Sequence, residues 1–293
     1  IIFMGEFNKG IIYASLGSFW WGVIGVLYFK FISYVNPFEV VSHRVIWTVV
    51  SLFVTIFISG KIKILISTFK DKKKVILLFF SGLLIFTNWA VWIYAISINQ
   101  LVEASFGYYI FPILSVFFGN IFFKENLNFK KKISIFIIFF AIIYMMFFLD
   151  HFPWIGLIVA VSFAGYAVLR KIILVETDIG LFVESLFLIP ITVIIFYNLN
   201  ISSHISFSLS DINLALILLL AGPMTVIPLF LFVRGSELSA LGPASMIFFI
   251  APTGQFLLGL FLYNETFLMN KLIGFVLIWI AVVIYLRDLY EKN

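Results

Sequence analysis

Apolar residues run in long blocks along this chain, separated by short stretches where charged and turn-forming residues collect. A helix that crosses a bilayer needs about 20 mostly apolar residues. Cut at the charged and turn-rich stretches, the pattern predicts ten such helices, over approximately 10–30, 37–59, 75–97, 103–123, 133–149, 153–170, 178–198, 211–233, 241–262 and 270–287. The expected fold class is an all-α integral membrane protein with ten transmembrane helices.

The blocks also repeat. Residues 103–125, EASFGYYIFPILSVFFGNIFFKE, recur 140 positions later as PASMIFFIAPTGQFLLGLFLYNE, residues 243–265. Under that shift Ala104 falls on Ala244, Ser105 on Ser245, Pro112 on Pro252, Gly119 on Gly259, Glu125 on Glu265 and Arg44 on Glu184, with no gap. A unit written twice divides the chain into a first five-helix repeat over residues 1–150 and a second over 151–293. Five is odd, so the second repeat enters the membrane upside down relative to the first. An inverted repeat with a proline-interrupted apolar segment in each copy predicts a transporter whose site lies between the halves.

Composition then sets the solvent. Hydrophobic residues make up 63% of the chain and charged residues 11%, with a mean hydropathy of +1.17. A soluble domain carries roughly 45–50% apolar and 25% charged residues, so the surroundings must be lipid. The net charge of +5 is no nucleic-acid signal, because the basic residues sit in short loops between apolar blocks. There is no cysteine for a disulfide or thiolate site, and the three histidines have no metal-site spacing. The first block lacks a small-residue cleavage signature and reads as a first span, not a signal peptide. With both termini in the cytoplasm, every Lys and Arg falls inside except Lys30, Lys271 and the membrane-buried Arg44, as the positive-inside rule requires. The segment 60–74 carries six lysines and its repeat partner 200–214 none, which places the two on opposite sides.

Arg44 stands in the second block, roughly 10 Å below the outer surface at 1.5 Å per residue. At that depth an arginine costs at least ~2.5–3.5 kcal/mol and needs a partner inside the protein. Glu184 sits about 9 Å in from the other side, so with a core about 30 Å thick the two are separated by roughly 11 Å in depth. Arg44 has a nearer candidate partner in Glu103, and Glu184 in Arg234 or Arg170. Two readings stay open: structural ion pairs, or a substrate site in which Arg44 holds a carboxylate by a two-pronged hydrogen bond. Asn88, Trp89, Trp92, Tyr94, Tyr108 and Tyr109 put polar-tipped aromatics in the membrane, and Trp89 and Trp92 share a helix face. Aromatic faces suit cationic or planar ligands, or form an interfacial belt. Pro112, Pro190, Pro228 and Pro252 interrupt apolar blocks; the repeat-related Pro112 and Pro252 are the expected hinges. Glu125 and Glu265 close the two copies and have local roles, accepting from the next helix or from loop lysines. Gly17, Gly22 and Gly25 permit close helix contact.

These residues resemble the RarD-like branch of the EamA proteins, in the drug/metabolite transporter superfamily. The resemblance covers nearly the whole chain: His43-Arg44-Val45-Ile46-Trp47, Asn88-Trp89, Glu103-Ala104-Ser105 with Gly107-Tyr108 and Pro112, Ser162-Phe163-Ala164 with Tyr166, and Arg170-Lys171. It continues through Val175-Glu176, Glu184, Pro190, Ala221-Gly222 with Thr225 and Pro228, and Ile250-Ala251-Pro252-Thr253. The chain departs from it at Phe248-Phe249, where the family commonly has a Gln-Tyr pair. The resemblance implies a ten-helix inner-membrane carrier working by alternating access. The expected function is a secondary, non-ATP transporter of a small organic metabolite, with an amino acid or amine as candidates; a flippase for a lipid-linked substrate is the alternative. No enzyme motif is present. The expected substrate-binding residues are Arg44, Asn88, Trp89, Trp92, Glu103, Tyr108, Tyr166 and Glu184. No cofactor, metal or nucleic acid is expected; the bilayer and a small-molecule substrate are the partners. Protons are a candidate coupling ion, and a monomer and a homodimer both fit.

Overall fold

Polar residues at the block edges start the helices. The side chains of Asn36, Asp71, Asn128 and Asp211 each accept a backbone N–H of the helix that follows, supplying partners for amides that otherwise have none. The structure, a computed structural model, describes residues 2–148, 152–202, 204–262 and 269–291. Its elements are α1 (Ile2–Phe19), a π-helical turn (Trp20–Ile24), α2 (Gly25–Phe31), α3 (Pro37–Ile58), α4 (Ile62–Lys70), α5 (Lys72–Ser97) and α6 (Leu101–Phe123). They continue as α7 (Phe129–Met146), α8 (Trp154–Ile172), α9 (Thr177–Ile201), α10 (Ile212–Leu238), α11 (Leu241–Ile247), α12 (Ile250–Leu262) and α13 (Met269–Glu291). Among the described residues there is no strand.

Among the described residues eight helical stretches are long and apolar enough to cross a membrane: Gly5–Phe31, Pro37–Ile58, Lys72–Ser97, Glu103–Phe123, Trp154–Ile172, Thr177–Ile201, Ile212–Leu238 and Leu241–Leu262. The blocks expected at 133–149 and 270–287 form α7 and α13, which stand outside that set; α7 opens on Lys130, Lys131 and Lys132. The outer face of the bundle is oily all round, with Phe57, Ile58, Val193, Ile194 and Phe261 each at least 60% exposed. Water would not tolerate such a surface; the chain is a multi-pass membrane protein. The lysine-rich segment expected as a loop contains a helix, α4, with Leu65 and Thr68 buried and its lysines outward.

At the centre α3 packs on α9 and α10, and α5 packs on α8 and α9. Around them α1 lies on α10 and α6 on α8, while α12 packs against the π turn. Small residues set the closest crossing: a side chain at Gly107 would run into the backbone of Gly156. α7 and α13 lie on a second core, where the rings of Tyr109 and Phe256 meet Phe275 at 4.9 and 3.9 Å between centres.

The two expected hinge helices differ. α6 runs unbroken through Pro112. Its counterpart is split into α11 and α12 at Phe248-Phe249, four residues before Pro252. A proline ring displaces the carbonyl of residue i−4, here Phe248, whose oxygen instead accepts the N–H of Ala251 at 2.9 Å.

Candidate functional site

The break at Phe248 and the π turn at Trp20–Ile24 aim two rings, Phe248 and Trp21, into one space beside Arg44. In this conformation the cavity volume is about 20 Å³, room for about one water molecule, so the rings must part before an organic ligand enters. Arg44, two turns into α3, is 3% exposed. Its Nε donates to Thr225 Oγ1 on α10 at 2.7 Å, and that hydroxyl in turn donates to the Ala221 carbonyl at 2.8 Å. The guanidinium carbon lies 4.6 Å from the Trp89 ring centre and 5.1 Å from that of Phe29. Asn88 is engaged at both ends: its amide nitrogen donates to the Val159 carbonyl at 3.0 Å, and its oxygen accepts the Tyr108 hydroxyl at 3.0 Å. Asn88 thus orients Tyr108, and α5 is tied to α8. Trp92 packs edge-on to Phe29 at 5.3 Å.

Phe163 closes the cavity on one side, with ring centres 5.3 to 5.9 Å from those of Trp21, Tyr108 and Phe248. Behind it Tyr166 stacks at 6.0 Å and 11°. The Tyr166 hydroxyl donates to Glu184 Oε2 at 3.4 Å, and Ser81 donates to Oε1 at 2.7 Å. Arg170 is the ion partner of Glu184, its Nε 3.6 Å from Oε1, and both side chains are almost fully buried. The Arg170 head lies against Gly180, where any side chain would strike it. Glu184 and Tyr166 therefore belong to a second cluster, separated from the cavity by a layer of rings. Of Glu184's two candidate partners the structure takes Arg170; Arg234 instead pairs with Glu237 at 3.0 Å.

Glu103 does not meet Arg44, and this corrects the pairing expected from depth. Its carboxylate accepts the backbone N–H of Ile155 at 3.1 Å, near the start of α8, and no carboxylate lies within 4 Å of Arg44 among the described residues. Depth along one helix axis says nothing of azimuth, and Glu103 faces α8. Tyr94 is 38% exposed and Tyr109 belongs to the second core, so neither reaches the cavity. Trp21, Phe29, Ile85, Phe163, Phe248 and Gln255 complete the lining, with Thr225 holding Arg44 from outside it. Trp21 follows from no periodicity, because only the π turn rotates it inward.

Carboxylates also clasp the two ends of the bundle. Glu39, in the first turn of α3, accepts the N–H groups of Ser206 and Phe207, just beyond α9, at 2.8 and 2.7 Å. Asp178, in the first turn of α9, holds Lys61, just beyond α3, at 2.6 Å. Burial opposes the Lys61 charge, but its bonds to Asp178 and Glu176 outweigh burial and hold its pKa above the ordinary lysine value. Glu125 accepts the N–H groups of Leu241 and Gly242 at the start of α11, both at 2.9 Å, and lies 3.5 Å from Lys171. The local role expected of it, with the next helix or loop lysines, is corrected: its partners are the start of α11 and the last turn of α8, both in the other half of the chain; its repeat counterpart Glu265 lies outside the described residues.

The EamA-like transporter family profile matches residues 8–147. Protein RarD of Escherichia coli (strain K12) is 31% identical over 281 residues, 96% of this chain and 95% of that protein. The uncharacterized transporter YojE of Bacillus subtilis (strain 168) is 33% identical over 284 residues, covering 96% and 94%. The chloramphenicol-sensitive protein RarD of Pseudomonas aeruginosa is 23% identical over 253 residues, covering 85% and 84%. One crystal structure superposes with a TM-score of 0.65 at 14% identity, over 94% of this chain and 97% of the other, a likeness of fold. The chain belongs to the EamA-like transporter family, in its RarD-like branch: it is a membrane transporter and not an enzyme.

Proposed function

We propose that this protein is a secondary transporter of a small organic metabolite, with ten spans in two inverted five-helix repeats, residues 1–150 and 151–293. It works by alternating access around the Arg44 cavity. The observation that carries the reading is that cavity: a buried, unneutralised cation among aromatic walls, bounded by Arg44, Trp89 and Tyr108 from one half and Phe163, Phe248 and Gln255 from the other. Ligand sites in inverted-repeat carriers lie between the repeats.

The inverted repeat is supported by reciprocity in the packing. Arg44 on α3 takes a hydroxyl of α10, and Glu184 on α9, its repeat partner, takes a hydroxyl of α5. Glu39 and Asp178 clasp each other's helices in the same exchanged fashion. Placing α7 and α13 across the membrane as the fifth helix of each repeat completes the ten, with both termini cytoplasmic. Protons couple through Glu184, whose guanidinium partner sits just beyond hydrogen-bond distance, with Nε and Nη1 lacking acceptors. A flippase needs a polar groove open to lipid. The two broader grooves, beside α12–α13 and α6–α7, are apolar apart from Thr253, Trp279 and Lys132.

Proteoliposomes holding the purified chain and loaded with a metabolite mixture test the proposal. Selected solutes should exchange faster than from empty vesicles, without ATP, and Arg44→Gln should abolish the difference. Release equal to that of empty vesicles for every solute would end the transporter reading at this site.

A further inference from the structure

The unused hydrogen-bonding capacity of the cavity is mostly donors. A guanidinium carries five N–H groups; Arg44 spends Nε on a neutral hydroxyl already donating elsewhere. Its terminal nitrogens meet no acceptor among the described residues. Trp92 Nε1 and the amide oxygen of Gln255, both on the cavity wall, are likewise buried without a partner among the described residues; the amide oxygen is the one free acceptor there against the Trp92 N–H and the terminal N–H groups of Arg44. Among the described residues no acidic side chain lines the space, and its one hydroxyl-bearing ring is Tyr108. The rings of Trp89 and Phe29 ease the charge but do not neutralise it. A buried ion without a counter-ion is strongly unfavourable, so the missing anion should arrive with the ligand.

We infer that the transported molecule is a small organic monocarboxylate with a flat apolar body, its carboxylate forked on Arg44 and its body between the aromatic walls, which part to admit it from the closed arrangement seen here. This rests on the transporter reading above and names the substrate class of that site. One guanidinium matches the two oxygens and single charge of a carboxylate. A phosphate monoester would bring up to a second negative charge, left unneutralised in a low-dielectric space. A simple amine would put a second cation beside Arg44, and of the two candidate cargoes, amino acid and amine, it is the one excluded.

The test uses the full-length chain in nanodiscs and three probes of one shape: 3-phenylpropionate, 3-phenylpropionamide and 3-phenylpropylamine. A ligand bound only by the folded state raises the thermal midpoint. The carboxylate should raise it at millimolar concentration while the amide and amine do not. Arg44→Gln should weaken carboxylate binding at least about tenfold, as loss of charge-assisted hydrogen bonds does. Should Arg44→Gln fail to fold, Trp92→Phe keeps the wall and removes one donor, and should weaken carboxylate binding alone. No shift with the carboxylate, an equal or larger shift with the amide or amine, or a carboxylate shift untouched by these substitutions overturns the inference. Flux separates the two claims. Binding through Arg44 without movement across proteoliposomes keeps the carboxylate site but sinks its transport, and with it the transporter reading; movement of the amine but not the carboxylate keeps transport and overturns the inference.

Discussion

Arg44 and Glu184 are repeat partners with opposite charge, and the structure gives them opposite solutions. Glu184 has its counter-ion inside the protein; Arg44 has only a hydroxyl and two rings. A double-mutant cycle of Arg44→Gln with Glu103→Gln should therefore be additive within about 0.5 kcal/mol in thermal or denaturant stability, as for groups with no shared partner. Glu184→Gln with Arg170→Gln should couple by roughly 0.5–3 kcal/mol, because either single change strands a buried charge. Transport gives a second readout for Glu184. Glu184→Gln should keep substrate exchange but lose accumulation driven by a pH gradient, and gradient-driven accumulation intact in that variant would remove protons from Glu184. The sequence made Arg44, Asn88, Trp89, Trp92 and Tyr108 legible as a group, because polar atoms in an apolar block have few places to go. It did not separate Tyr166 and Glu184 from them, since that division is made by the ring of Phe163, one phenylalanine among 38.

At the scale of elements, the repeat showed two prolines but not their different outcomes. Pro112 and Pro252 occupy the same position in two copies, yet α6 continues and its counterpart breaks. Whether a helix stays continuous past a proline depends on where the displaced carbonyl finds a donor, which is a property of local geometry that residue type does not carry. Both prolines remain proposed hinges, and the break ranks them. Pro252→Ala should slow substrate exchange more than Pro112→Ala at equal expression, since it allows Phe248 to rejoin a regular helix and leave the cavity wall. Unchanged exchange in both variants would make the prolines static features.

For the whole molecule, the lysine asymmetry between segments 60–74 and 200–214 is the sharpest statement the sequence makes. The positions that best test it came from the structure. Ser208 in the second segment and Ser67 in the first are both exposed, so cysteines belong there. With no native cysteine in the background, an impermeant maleimide should label the Ser208 site from outside intact cells and the Ser67 site only after permeabilisation. Labelling of both from one side would end the inverted topology. The end clasps of Glu39 and Asp178 were not legible. They bind backbone amides or a lysine just past the ends of helices in the other repeat, and one sequence carries no trace of such long-range contacts.

The walls around Arg44 also give the protein an optical sensor. Three of its seven tryptophans, Trp21, Trp89 and Trp92, border one space. Indole emission shifts with the polarity and charge around the ring, so filling or emptying that space should change the colour and yield of intrinsic fluorescence without any dye. Replacing Trp89 with Phe should remove much of a ligand-induced signal, while Trp154, at 44% exposure on α8, should contribute a constant background. Turnover would then be readable as a change in light, on the timescale of the cavity itself.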